Sequence, residues 1–186
     1  MQKILSVSVA AYNVENCLKE TLDSLLCDNE TLSKIEIIII NDGSKDKTGL
    51  IAVEYCNKYP QSFVLVNKEN GGYGSTINAA LKVASGKYFR LLDGDDWYLT
   101  ENLRDYIAFL EKTGTDMVLS PYIEYREDLD VENTLDRHDL NPDVSYNISN
   151  SDFINLDDIK MHELAVKTEV LKSGKMRITE NCFYTD

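Results

Sequence analysis

A chain of 186 residues, 43% hydrophobic and 27% charged, suits one globular domain with a real core and indicates neither disorder nor a membrane span. Its most apolar run, 35–40, is interrupted by Glu36 and is far shorter than the roughly 20 residues a spanning helix needs. A formal net charge of −13 argues against a general nucleic-acid surface, where Lys and Arg drive phosphate binding; any phosphate-bearing ligand here calls for a divalent cation.

The first residues alternate like a strand and lack the apolar stretch of a signal peptide, so the chain is expected in the cytoplasm. Strands are expected at 5–9, 35–40, 63–66, 88–92 and 117–119, alternating with helices at 15–27, 47–58, 74–84 and 101–112. In the first helix Cys17, Leu18, Leu22, Leu25 and Leu26 recur at helical spacing, while Ile37, Ile38, Ile39 and Ile40 read as a strand buried on both faces. This is an α/β fold around a mainly parallel central sheet with flanking helices. After Pro121 the alternation fades. Segment 124–143 carries eight acidic residues against Arg126 and Arg137 and reads as a solvated hairpin or surface excursion. Segment 159–166 can return to the sheet as a strand. The four cysteines show no zinc or redox spacing, and the N-x-S/T matches at Asn29 and Asn147 mean nothing without secretion.

In such sheets ligands bind beyond the carboxyl ends of the strands. The loops there are Ala10-Ala11-Tyr12-Asn13, Asn41-Asp42-Gly43-Ser44, Lys68-Glu69-Asn70-Gly71-Gly72 and Asp93-Gly94-Asp95-Asp96. The last places three carboxylates at the end of an apolar strand, where their repulsion calls for a cation, although Asp and Gly are also ordinary turn residues. An EF-hand reading fails because Tyr98 and Arg104 fall where Gly and Glu belong. Gly72-Tyr73-Gly74 is no dinucleotide fingerprint, since Ile77 takes the third glycine position, and Gly86-Lys87 lacks the rest of a Walker loop. The glycines at 71, 72 and 74 fit either a backbone that approaches a ligand or a tight turn at a helix start.

Taken together and in order, Ser6-Val7-Ser8-Val9-Ala10-Ala11-Tyr12-Asn13, Glu36 to Thr48 with Asn41-Asp42-Gly43-Ser44, Asn70-Gly71-Gly72, and Gly86 to Trp97 with Asp93-Gly94-Asp95-Asp96 resemble the family 2 glycosyltransferases. The resemblance implies a GT-A fold with a Rossmann-like nucleotide-binding half in residues 1–100 and the start of an acceptor half in 101–186, as one catalytic domain. It implies that Tyr12 stacks on the base of a nucleotide-sugar and that Asp42 bonds it, commonly uracil. Ala10, Asn70 and Gly72 join that site. Asp93-Gly94-Asp95 resembles the family's D-x-D motif, making Asp95 the direct metal ligand and Asp93 a contact to ribose or metal. Asp96 supports this shell or caps the next helix. The implied ion is Mg²⁺ or Mn²⁺.

Thr185-Asp186 resembles the family's Glu-Asp pair, so Asp186 is the expected general base, with Glu180 in reserve and His162 either facing the acceptor or structural. The resemblance thus implies a metal-dependent inverting transfer of a hexose or N-acetylhexosamine from a nucleotide donor, uridine by expectation, to a hydroxyl of a glycan or lipid-linked acceptor. Three departures stand out: Ala10 replaces a usual Pro, Ile77 a frequent Arg, and the sequence stops at the expected base. Family members continue with helices that complete the acceptor side or reach the membrane, so the acceptor half is expected to be incomplete, with peripheral membrane association at the inner face supplied by further chain. Two rivals remain. A sugar nucleotidyltransferase would carry a Gly-rich basic first loop, which 10–15 lacks; a non-catalytic nucleotide-sugar or glycan-binding module would need no base.

Overall fold

Four successive β-branched isoleucines suit a strand covered on both faces. In the computed structural model, which describes residues 2–126, 131–135, 141, 144, 159–174 and 177–182, they lie in β2 (Ile35–Asn41). That strand pairs in parallel with β1 (Leu5–Ala11) on one side and β3 (Phe63–Asn67) on the other. On its far side β1 pairs in parallel with β4 (Tyr88–Asp93). Two later strands, β5 (Met117–Leu119) and β8 (Leu164–Lys167), extend the sheet to the order β3-β2-β1-β4-β8-β5. The four N-terminal strands are parallel as expected. The returning segment is β8, and it runs antiparallel to both β4 and β5.

The layers follow from the strand alternation. Ile37 and Ile39 join one core with α1 (Leu18–Ser24), α2 (Asn29–Ser33), α3 (Thr48–Lys58) and α5 (Leu103–Lys112). Ile38, Ile40 and Phe89 join the opposite core with Ile77, Ala80 and Leu81 of α4 (Tyr73–Val83), and Leu171 of α6 (Thr168–Ser173) packs against it. Each fully buried isoleucine contributes roughly 1.5–3 kcal/mol of transfer free energy, so the central strand anchors both layers.

The first helix is shorter than its apolar spacing predicts. Asp46 accepts the Glu15 N–H at 3.0 Å, the Glu15 carboxylate accepts the Lys47 N–H at 2.8 Å, and Thr48 Oγ1 accepts the Val14 N–H at 2.9 Å. These bonds pin 14–15 to the start of α3, so regular helix begins only at Leu18. The short α2 has no counterpart among the expected elements; Asp28 starts it by accepting the Thr31 N–H at 3.1 Å, the usual chemistry of an N-cap. Asp96 caps no helix: the turn Thr100–Asn102 follows Leu99, and α5 follows Asn102 without a side-chain cap. Part of the acidic stretch forms an antiparallel pair, β6 (Tyr122–Arg126) with β7 (Val131–Leu135), in line with the hairpin reading. Among the described residues no helix is long and apolar enough to cross a membrane.

Glu36, the charge inside the apolar run, closes a latch. Its carboxylate accepts Ser6 Oγ at 2.6 Å, the Ser85 N–H at 2.8 Å and Ser85 Oγ at 2.7 Å, while Ser6 Oγ accepts the Gly86 N–H at 2.9 Å. The latch joins the starts of β1 and β2 to the turn before β4, and so holds the three strands in register. Glu36→Ala is expected to lower the unfolding free energy by about 1–2 kcal/mol in urea denaturation; an unchanged midpoint would show that packing alone sets the register.

Candidate functional site

Parallel pairing on both sides of β1 fixes where the chain leaves the sheet. Ala10 stands opposite Ile40 and Asp93, Ala11 opposite Asn41, and Asn41 opposite Asn67. The loops after β1 to β4 therefore emerge at one edge. The chain passes from β3 back across to β4 on the other side of β1, and such a switch point opens a crevice between diverging loops. Ala10 and Asp93 border it.

Tyr12 stands on the first loop, 50% exposed, with its ring available as a flat face. The loop is clasped to the one after β2: the Asn13 N–H donates to Ser44 Oγ at 3.1 Å and Asn13 Oδ1 accepts the Lys45 N–H at 2.8 Å. Asn13 itself adopts a positive φ of 56°, which asparagine tolerates.

Asp42 is only 2% exposed, and its carboxylate organises the third loop. It pairs with Lys68 Nζ at 2.5 Å and accepts the Gly71 and Gly72 N–H groups, each at 3.1 Å. Lys68 Nζ also donates to Ser75 Oγ at 2.8 Å, tying the loop to α4. The Gly71 N–H also approaches the second carboxylate oxygen at 3.4 Å, so each Asp42 oxygen takes two contacts within this clasp. Gly43 permits the packing, since a Cβ there would lie 2.9 Å from the Asn70 nitrogen and its φ is +77°. Gly72 shares that φ and starts α4, which favours the tight-turn reading of this glycine. Ile77 lies in the second core with Ile38 and Ile40, so the cation of this region is Lys68. Lys68 carries no local signal of this role, because its partner lies 26 positions away.

The acidic loop is seated on the first one. A Cβ on Gly94 would lie 2.7 Å from the Ala10 carbonyl oxygen and 3.0 Å from Val14 Cγ2, and the Gly94 carbonyl accepts Thr21 Oγ1 at 2.9 Å. Asp95 is exposed; Asp93 and Asp96 are partly buried. Beneath them Arg90 is buried, donating to Tyr106 Oη at 2.9 Å and Ser120 Oγ at 2.6 Å, with its guanidinium 5.5 Å from the Tyr98 ring. Burial opposes the Arg90 charge, but the Tyr98 and Tyr106 phenols and the Glu163 carboxylate hold its pKa above the ordinary value. Burial likewise pushes the Tyr98 phenol up.

Among the described residues no group of three or more His, Cys, Asp or Glu side chains could enclose a metal ion. Asp93 and Asp95 fit a different kind of site, because Mg²⁺ is commonly held by one or two carboxylates and completed by substrate phosphates. The C-terminal segment reaches the same region: the Asn181 N–H donates to the Gly71 carbonyl at 2.9 Å, and Gly74 has no room for a side chain beneath Thr179. Glu180 Oε1 accepts Asn78 Nδ2 at 2.8 Å, which ties it to α4. Asp186 and the His162 side chain lie outside the described residues. Two grooves, of about 500 and 570 Å³, are lined from α4 to Glu180 and beside α5; Tyr12, Asp42, Asp93 and Asp95 line neither.

The profile described as Glycosyl transferase family 2 matches residues 6–181. Over 109 residues, 59% of this chain, the sequence is 40% identical to a Rickettsia prowazekii protein named as an uncharacterized glycosyltransferase. Over 118 residues, 62% of this chain, it is 36% identical to the minor teichoic acid biosynthesis protein GgaB of Bacillus subtilis. The chain spans 32% and 13% of the lengths of those two relatives. The crystal structure of S. aureus TarS 1–349 in complex with UDP-GlcNAc superposes with a TM-score of 0.70 at 25% identity, over 95% of this chain and 49% of that one.

The Asp42–Lys68 pair gives a direct test of the loop geometry. Lys68→Met leaves a buried carboxylate without its cation and is expected to cost about 2–3 kcal/mol in thermal or urea unfolding. Adding Asp42→Asn to that variant should recover part of the loss; additive losses would mean that the two side chains act independently.

Proposed function

We propose that this chain, which belongs to glycosyl transferase family 2, moves a sugar from a nucleotide-diphosphate donor, a uridine one, to a hydroxyl of a glycan or lipid-linked acceptor. The observation that carries the reading is the meeting of Ala10, Tyr12, Asp42 and the Asp93-Gly94-Asp95 loop at one edge of a parallel sheet, bordering its switch point. An exposed aromatic ring, a carboxylate acceptor and an acidic pair are the parts that a base, its N3–H and a metal-bound diphosphate require. The UDP-GlcNAc complex of TarS and the naming of GgaB for minor teichoic acid biosynthesis support a uridine donor and a cell-surface polymer as acceptor.

In this reading Tyr12 stacks on uracil, Asp42 accepts the N3–H, and the backbone at Ala10, Asn70 and Gly72 lines the nucleoside. Asp95 holds Mg²⁺ or Mn²⁺, with Asp93 at the ribose or the ion. The bound ion would neutralise charge on the departing diphosphate, a need sharpened by the chain's own net charge of −13. Asp186 takes the proton of the acceptor hydroxyl, which attacks the anomeric carbon from the face opposite the diphosphate, so an α-linked donor yields a β linkage. The first loop has neither glycine nor a basic residue over 10–15, which disfavours the nucleotidyltransferase rival.

Calorimetric titration of UDP is expected to give binding with Mn²⁺ that EDTA abolishes and Asp95→Ala weakens by at least about tenfold; metal-independent binding would overturn the role of Asp95. With UDP-sugars and acceptor present, Asp186→Asn should leave UDP affinity unchanged and lower transfer by about 10²–10⁴-fold, the usual weight of a general base. Transfer unaffected by that change would remove Asp186 from the mechanism. Metal-dependent UDP binding without transfer to any acceptor would favour the binding-module reading.

A further inference from the structure

Beyond Asp95 the acidic loop continues into an exposed aromatic surface. Exposure alternates along this segment: Asp95, Trp97 and Leu99 are exposed, Gly94 is buried, and Asp96 and Tyr98 are partly buried. The backbone on either side of Trp97 is pinned. The Tyr98 N–H donates to Ser24 Oγ at 3.0 Å, Thr100 Oγ1 donates to the Ser24 carbonyl at 2.7 Å, and the Tyr98 ring lies against Arg90. With Tyr98 held inward, Trp97 is 47% exposed and meets Tyr125 of β6, itself 43% exposed, edge to face with ring centroids 6.4 Å apart and planes at 65°. Ile123, two residues before Tyr125 on the same face of that strand, is exposed as well. A contiguous exposed apolar surface beside a site marks a place where something binds.

The chemistry around the rings selects the occupant. The charged residues in 93–101 and in β6 are five carboxylates, Asp93, Asp95, Asp96, Glu101 and Glu124, and one guanidinium, Arg126; Glu124 alternates to the strand face opposite Tyr125. With Asp93 and Asp95 given to the donor, Asp96 and Glu101 remain on this segment as acceptors for hydroxyl groups, and an aromatic face packs against the C–H face of a sugar ring. We infer that Trp97 and Tyr125 form the acceptor subsite, and that the unit bound there is a pyranose ring packed against these two rings. The inference rests on the donor reading of Asp95 given above: an acceptor hydroxyl must approach the anomeric carbon beside the diphosphate, and Trp97 stands two residues beyond Asp95.

Trp97 is the one tryptophan in the chain, so its emission reports this surface alone. With UDP and Mg²⁺ present, methyl β-glycosides of glucose, galactose and N-acetylglucosamine are titrated while Trp97 fluorescence is followed, with ribitol 5-phosphate as the anionic comparison. At least one glycoside is expected to change the emission saturably, and Tyr125→Ala to weaken that binding about tenfold with UDP affinity kept within about twofold by calorimetry. A response to ribitol phosphate alone, no response to any glycoside while UDP binds, or a glycoside affinity indifferent to Tyr125→Ala would each overturn the inference. Failure of UDP itself to bind would instead remove the donor site, and the subsite with it.

Discussion

Everything at the candidate site depends on β1 being paired in parallel on both sides in a fixed register. A strand so placed has to be buried on both faces and cannot slip by one residue without turning its core side chains to the wrong layer. With Leu5 opposite both Ile35 and Tyr88, the strand ends come out level, and Ala10 meets Asp93. The Glu36–Ser6–Gly86 latch secures that register at the opposite end of the sheet from the loops, so an interaction far from the chemistry determines how close the acidic loop comes to Tyr12.

Charge is the second organising theme. A strongly acidic chain has placed two of its cations, Lys68 and Arg90, beneath the loops. Both are committed to holding the scaffold: Lys68 clasps the loop after β3 through Asp42, and Arg90 supports the segment after β4 through Tyr98, Tyr106 and Ser120. A pair of carboxylates backed in this way suits an ion shared with a diphosphate, because the ion supplies the positive charge that the loops withhold.

Much of the fold was legible because β-branched runs and loops rich in Gly and Asp punctuate the chain at short intervals. The isoleucine run suited a strand covered on both faces, and the sheet treats it so. What was hidden came from contacts between residues far apart in sequence. The shortened first helix depends on Glu15 meeting Asp46 and Lys47; α2 depends on a cap at Asp28 that was masked by a meaningless N-x-T match. Asp42 was readable as a site residue, but not its burial or its pairing with Lys68. Arg90 inside an apolar strand was a usable signal, since a buried arginine requires partners, yet nothing in the sequence says that they are Tyr106 and Ser120. That the Ala10 and Asp93 loops share one edge followed from the alternation of strands and helices, whereas their direct juxtaposition depends on β4 pairing with β1, a strand order that the loops do not encode.

The central claim is that a divalent ion sits at the end of β4 and joins the acidic loop to a nucleotide lying on Tyr12. The most direct measurement is the anomalous scattering of manganese in crystals grown with UDP and Mn²⁺. The account predicts a manganese peak in coordination distance of Asp95, bridged to the diphosphate, with the uracil ring against Tyr12 and its N3–H on Asp42. Bound UDP with no manganese peak at Asp95, or a peak at some other place on the chain, would contradict it.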